Sequence, residues 1–97
     1  MDLQLNQILE IVAECTNTKV EELKSRNRSR ALAESRFLFF FFSIYATGKS
    51  FREVGSFMNR KHNTAIHGAN KTVELKKYHK DFSMKFKTIN EKLSLTQ

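Results

Sequence analysis

The sequence has no proline, no tryptophan, three glycines and one cysteine in 97 residues. Sandwiches and barrels need turn residues roughly every eight to twelve positions, so the scarcity of glycine and proline excludes an all-β architecture and leaves an all-helical one. Cys15 is alone and forms no disulfide within the chain. The N-terminus is acidic and polar where a secretory signal is basic and then apolar, so a reducing cytoplasm is the expected compartment. No apolar run approaches the roughly 20 residues of a membrane span, and no membrane partner is expected. A composition of 40% hydrophobic and 28% charged residues, with mean hydropathy −0.48, is that of a folded soluble chain. The length suits one domain over residues 1–97 and leaves no room for a second.

Acidic residues are also scarce, and unevenly so. The chain carries seventeen Lys and Arg against ten Asp and Glu, for a net charge of +7. Residues 1–24 hold two lysines and five carboxylates, whereas residues 25–97 hold fifteen basic and five acidic side chains. A polyanion is the expected partner, nucleic acid before an anionic surface, and it should meet the later two-thirds of the chain.

Apolar spacing then places the helices. Leu3, Leu5, Ile8, Leu9, Ile11, Val12 and Cys15 form one stripe over about 3–16. Thr18 and Glu21 have capping-box spacing, which predicts a short helix with Val20 and Leu23 inward, ending near Lys24. Ser25-Arg26-Asn27-Arg28-Ser29-Arg30 is a polar loop or helix start with an arginine at every second position. A helix follows from about Ser29 to Ala46, closed by Gly48. Ser50 and Glu53 form a second capping box ahead of a short helix with Phe51, Val54 and Phe57 on one side. From about Lys61 to 76, Ile66, Ala69 and Val73 recur as an inner stripe, with Asn63, His67, Lys71 and Glu74 opposite. A last helix at about 81–93 carries Phe82, Phe86, Ile89 and Leu93. The fold expected is a small all-α domain of about five to six helices.

The pair at about 50–58 and 61–76 has the form of a helix-turn-helix, whose second helix enters the major groove. Arg60, Lys61, His62, Asn63 and Thr64 stand where that helix begins. Asn bonds two edge atoms of adenine, Thr offers a hydroxyl and a methyl to thymine, and Arg or Lys reaches guanine or phosphate. The plainer reading of the same residues is the solvated face of a basic protein. Phe37-Leu38-Phe39-Phe40-Phe41-Phe42 circles its helix, and is either a post buried on nearly every side or an exposed patch for a second copy or a protein partner. Lys76, Lys77, Lys80, Lys85 and Lys87 are a solubilising face or supply further phosphate contacts. His62 and His67 lie about 140° apart on a helix, unlike the i, i+4 pairs that bind zinc. Neither a metal, a cofactor nor a catalytic role is expected.

Two stretches resemble a known family. Ser50-Phe51-Arg52-Glu53-Val54-Gly55 and Arg60-Lys61-His62-Asn63-Thr64-Ala65-Ile66-His67-Gly68-Ala69 are similar to the C-terminal DNA-binding domain (domain IV) of the bacterial replication initiators, DnaA. The signature there runs S-L-x-E-I-G, then F-G-G-R-D-H-T-T-V-x-H-A. Lys19-Val20-Glu21-Glu22-Leu23, the arginines at 26, 28 and 30, and Arg36 resemble its short helix and basic loop, so the likeness covers roughly residues 5–76. It implies a Trp-repressor-like helical domain. It also implies Arg28 in the minor groove, His62, Asn63 and Thr64 on bases, and Arg30, Arg36, Arg60 and Lys71 on the phosphate backbone. Lys61 stands in place of the signature aspartate, Asn63 in place of the first threonine, and Met58-Asn59 in place of Gly-Gly, with one residue fewer after Gly55. Asp accepts from cytosine whereas Lys donates to guanine or phosphate, so the recognised site should differ from the family's nine-base box. No G-x-x-x-x-G-K-[ST] phosphate loop occurs, so this chain alone is not expected to initiate replication. The expectation is therefore double-stranded DNA binding in a regulatory or replication-accessory role, with Arg26, Arg28 and Arg30 on the backbone or in the minor groove. The alternative is a protein-interaction module using the Phe-rich helix. RNA binding ranks last, because its stacking platforms need exposed aromatics.

Overall fold

Arg30–Thr47 form an 18-residue helix about which the other elements are arranged. In the computed structural model, which describes residues 4–96, the order is α1 (Leu5–Thr16), α2 (Val20–Lys24), α3 (Arg30–Thr47), α4 (Phe51–Phe57), α5 (His62–Tyr78) and α6 (Lys80–Thr96). The described residues contain helices and no strand, as the poverty in turn residues requires. None of these helices is long and apolar enough to cross a membrane.

Local chemistry sets most of the ends. Ser29 Oγ accepts from Leu32 N at 3.2 Å to open α3. Gly48 closes it in a left-handed conformation (φ +71°), with its N–H on Ile44 O. Ser50 caps α4 as expected, Glu53 N donating to Ser50 Oγ at 3.1 Å, but the Glu53 carboxylate takes the Ser50 hydroxyl (3.3 Å) and not its backbone N–H, so half of the expected capping box is made. The start of α2 departs from expectation by one residue. Glu22 rather than Glu21 turns its carboxylate back, onto Lys19 N at 3.0 Å, while the Thr18 hydroxyl is engaged with that of Thr16.

The Phe-rich run is a post, not a patch. Leu38, Phe39, Phe40 and Phe42 are buried, and Phe37 and Phe41 are half-buried. Because the apolar side chains of α3 point in every direction, several helices are needed to cover it. Phe57 of α4 stacks on Phe39 at 5.9 Å, and Phe86 of α6 packs against Phe41 and Phe42 at 5.2 and 4.7 Å. α1 and α2 also lie against α3. Leu5, Ile8, Leu9 and Val12 of α1, Leu23 of α2 and the whole expected stripe of α6 (Phe82, Phe86, Ile89, Leu93) are buried. Leu3, placed at the head of the first stripe, lies outside the described residues. Each fully buried aromatic contributes about 1.5–3 kcal/mol.

The inner face of α5 is not the expected one. Ala65, Gly68, Ala69 and Thr72 are buried, Ile66 is half-buried, and Val73 is 45% exposed. Steric fit to α3 outweighs side-chain hydrophobicity here. A Cβ on Gly68 would stand 2.6 Å from Phe40 Cδ2 and 3.4 Å from the Cα of Phe37, so only the smallest residues let α5 lie against the phenylalanines.

Thermal melts of three variants test this packing. Gly68→Ala should cost about 1–3 kcal/mol through overpacking, or roughly 5–20 °C in Tm. Gly48→Ala meets open space and only a strained φ, and should cost about 1 kcal/mol. Ser43 is buried with no partner for its hydroxyl, so Ser43→Ala should be neutral or stabilising by up to about 1 kcal/mol. A Gly68→Ala loss no larger than that of Gly48→Ala would contradict the close α3–α5 approach.

Candidate nucleic-acid interface

The alternation Ser-Arg-Asn-Arg-Ser-Arg at 25–30 has a structural division of labour. The short polar side chains tie the backbone: Ser25 Oγ donates to Glu22 O (2.6 Å) and accepts from Asn27 N (3.2 Å), and Asn27 Oδ1 accepts from Ser29 N (3.0 Å). Such short-range bonds replace secondary structure in a loop. The residues between them, Arg26, Arg28 and Arg30, are exposed. Arg30 makes one loose ion pair with Glu34, at 3.8 Å, of the exposed kind that contributes little.

Between α4 and α5 the chain turns within four residues. Met58 N and Arg60 N both donate to Gly55 O, at 3.0 and 2.8 Å. A Cβ on Gly55 would stand 2.9 Å from Arg60 O and 3.0 Å from Lys61 O, so the turn closes only over glycine. Asn59 takes the left-handed conformation (φ +57°), which Asn tolerates better than most residues. Met58 is fully buried. Lys61 is the N-cap of α5 and makes no side-chain cap bond. His62, Asn63 and Thr64 then occupy the exposed first turn, where the first backbone N–H groups of a helix have no intrahelical acceptor.

The loop and the helix start meet. A cleft of about 520 Å³ is lined by Lys24, Arg26, Asn27, Arg28, Arg36, Asn59, Arg60, Lys61 and Thr64. Six cationic side chains converge there with no carboxylate in the lining. Burial, and then the nearby Arg60, lower the pKa of Arg36. Burial, and then Arg26, lower that of Arg60. The like charges thus repel one another within one polar depression, which is the electrostatic condition of an anion site.

One expected phosphate ligand, Arg36, needs revising. Arg36 is 7% exposed, with Nε on Leu23 O (2.8 Å), Nη1 on Asn27 O (2.7 Å) and Nη2 on both Glu22 O and Ser25 O (3.0 Å each). Four of its five N–H donors are thus spent on backbone carbonyls, so it serves the loop and does not present a free guanidinium to phosphate. Lys71 is half-buried and paired with Glu74 at 3.6 Å, away from the cleft lining. Arg60 is half-buried, with Nη1 on Met58 O (2.8 Å) and Nη2 on Ser25 O (2.6 Å). His67 is exposed further along α5, its ring edge-on to Phe37 at 5.6 Å.

Lys24, Asn27 and Asn59 line the cleft although the sequence did not single them out. Asn27 carries a signal in the alternation of the loop, and Asn59 one as the residue standing in for glycine at the turn. Lys24 ends a short helix, its Nζ lying 4.5 Å above the ring of Phe57, and nothing in its local pattern distinguishes it from a solvated lysine.

With this geometry in hand, the sequence comparisons converge. The model of the bacterial dnaA protein helix-turn-helix matches residues 5–72. The chain belongs to that family. It is a DNA-binding helix-turn-helix domain of the DnaA domain IV kind. It is similar to the chromosomal replication initiator protein DnaA of Lachnoclostridium phytofermentans, with 38% identity over 69% of this chain and 15% of the relative. It is also similar to the protein of the same name from Psychromonas ingrahamii, with 28% identity over 94% of this chain and 20% of the relative. The chain thus spans a fifth or less of the curated relatives it matches. With Arg60, His62, Thr64 and His67 in register with R, H, T and H of the family signature, its Val and Ala fall on Ala65 and Gly68. Both are buried, so the DnaA-like register and the packing agree.

Asn63 is exposed and, among the described residues, its side chain makes no hydrogen bond to another element. Asn63→Ala should therefore leave stability within about 0.5 kcal/mol while costing about 1–3 kcal/mol of discrimination at one base pair. Thermal melts and competition binding against single-base variants of a selected duplex check the two halves separately.

Proposed function

We propose that this chain binds double-stranded DNA sequence-specifically, in a regulatory or replication-accessory role in the cytoplasm, at a site altered from the initiator box. The observation that carries this reading is the cleft, where an exposed arginine loop and the start of the second motif helix form one carboxylate-free cationic face. Arg28 reads the minor groove, His62, Asn63 and Thr64 present their side chains to base edges, and Arg26, Arg30, Lys61 and Lys24 neutralise phosphates. The altered site follows from Lys61 and Asn63, both exposed and both different in chemistry from the signature residues.

Lys61 separates reading from folding. A lysine is a poor N-cap, and its charge opposes the positive end of the α5 dipole. Lys61→Asp should thus stabilise the fold by about 0.5–2 kcal/mol and at the same time lower affinity for random duplex. If the docking geometry is inherited, it should also raise the relative preference for the family's box. A variant that gains stability and keeps its full affinity would remove Lys61 from the DNA face.

Fluorescence anisotropy with a random-sequence duplex at several salt concentrations tests the function itself. Four phosphate contacts, or five with Arg28, predict a log–log slope of about −3.5 to −4.5. A slope shallower than about −2, or no binding at any salt, would defeat the reading.

One observation favours the interaction-module alternative. The half-buried Phe41 and the 72% exposed Tyr45 line a groove of about 330 Å³ between α3 and α6, with Phe86 and Leu93 on its other side. That reading requires self-association or partner capture through this groove. With most of the phenylalanine run in the core, sedimentation should find a monomer at micromolar concentration. A dimer dispersed by Tyr45→Glu would support the alternative instead.

A further inference from the structure

The loop at 25–29 belongs to no helix, and its own side chains bond it only to near neighbours in sequence. Among the described residues, every hydrogen bond that reaches it from more than four residues away comes from two guanidiniums, those of Arg36 and Arg60. They share an acceptor. Ser25 O takes Arg36 Nη2 at 3.0 Å and Arg60 Nη2 at 2.6 Å. Arg36 rises from α3 and also holds Asn27 O and the last carbonyls of α2. Arg60 sits in the turn ahead of α5 and holds Met58 O with its other amino group.

From this shared carbonyl we propose that Arg36 and Arg60 are positioning residues, which lock the basic loop to the helix-turn-helix so that minor-groove and major-groove reading are coupled. The proposal rests on the DNA-binding reading above and adds to it a specific dependence. Arg28 lies one residue beyond Asn27, whose carbonyl is held, while His62 lies two residues beyond Arg60. Duplex DNA presents its adjacent grooves at a fixed offset, so a loop free to shift against α5 would let Arg28 contact phosphate but not a chosen minor groove. A fork is required for this job. A guanidinium reaches two carbonyls in one plane, whereas the ammonium of lysine is a point donor on a flexible stem.

The charge-conserving variants Arg60→Lys and Arg36→Lys test it, with thermal melts to verify folding. The duplex is one selected by the wild-type chain from a random pool, compared with versions changed only at the base pair read by Arg28. Wild type should discriminate between these by about tenfold or more. Both lysine variants should bring the ratio close to one while leaving the salt slope within about one phosphate of wild type. Arg28→Ala placed in the Arg60→Lys background should then lose no further discrimination. If instead lysine preserves the discrimination, Arg36 and Arg60 act as plain cations and the proposal fails. Arg60 is half-exposed, so Arg60→Lys carries the test if Arg36→Lys does not fold, and an Arg60→Lys chain that also fails to fold would reduce the pair to a stability role and overturn the proposal. Absence of wild-type binding at any salt would instead defeat the DNA reading itself, a result distinct from any of these.

Discussion

α3 has almost no polar side, and the rest of the domain follows from that constraint. A helix with Leu38, Phe39, Phe40 and Phe42 buried and Phe37 and Phe41 half-buried must be enclosed by its neighbours. The enclosure dictates who the neighbours are. On one flank only a near-featureless helix surface fits, so α5 presents Ala65, Gly68 and Ala69. On another, α6 supplies Phe86 to fill the space beside Phe41 and Phe42. The close seating of α5 fixes where its first turn emerges. Arg36 leaves α3 one turn before Phe40, so the helix that seats α5 also holds the loop beside α5's start. Core packing and reading surface are thereby two consequences of one element.

The electrostatics of that surface are organised by backbone rather than by acidic side chains. Arg36 is buried against four carbonyls and, among the described residues, has no carboxylate partner. Two of those carbonyls, of Glu22 and Leu23, end α2, where the helix dipole is negative. A carboxylate there would have neutralised the cleft. Carbonyls satisfy the guanidinium's geometry while leaving its full charge in place, so the field beside Arg26, Arg28 and Lys61 stays positive. Mutual repulsion among Arg26, Arg36 and Arg60 is the residual cost, of the kind that a bound anion would relieve.

What the sequence revealed, and what it hid, divides by the range of the interactions concerned. Gly48, the Ser50 and Glu53 pair and the α6 stripe depend on neighbours within one or two turns, and they stand where the pattern places them. The inner face of α5 depends on the shape of α3. Val73 is more hydrophobic than Gly68, and periodicity favours it, yet the phenylalanines admit only Gly68. Arg36 is hidden for the same reason, since its carbonyl partners are 9 to 14 residues away and no spacing rule marks it as buried. The basic loop is intermediate. Its alternation is visible in sequence, but that the serines and asparagine tie the backbone while the arginines face out appears only in three dimensions.

The departures from the family signature fall into two groups with different physics. Met58 and Asn59 replace Gly-Gly at the turn, and both have a structural account: Met58 fills the core, and Asn59 takes the left-handed conformation that the turn demands. Lys61 and Asn63 have none. Both side chains are exposed, and Lys61 is unfavourable where it stands, an uncapped cation at the positive end of a helix dipole. The aspartate of the signature would cap α5 and lower the local repulsion. The sequence has therefore kept what the turn and the helix packing need while giving up stability at an exposed position that both lines the cleft and caps the helix start. A cation that works against its own helix and lines a cationic cleft suits an anionic partner, whose charge would turn that liability into an attraction.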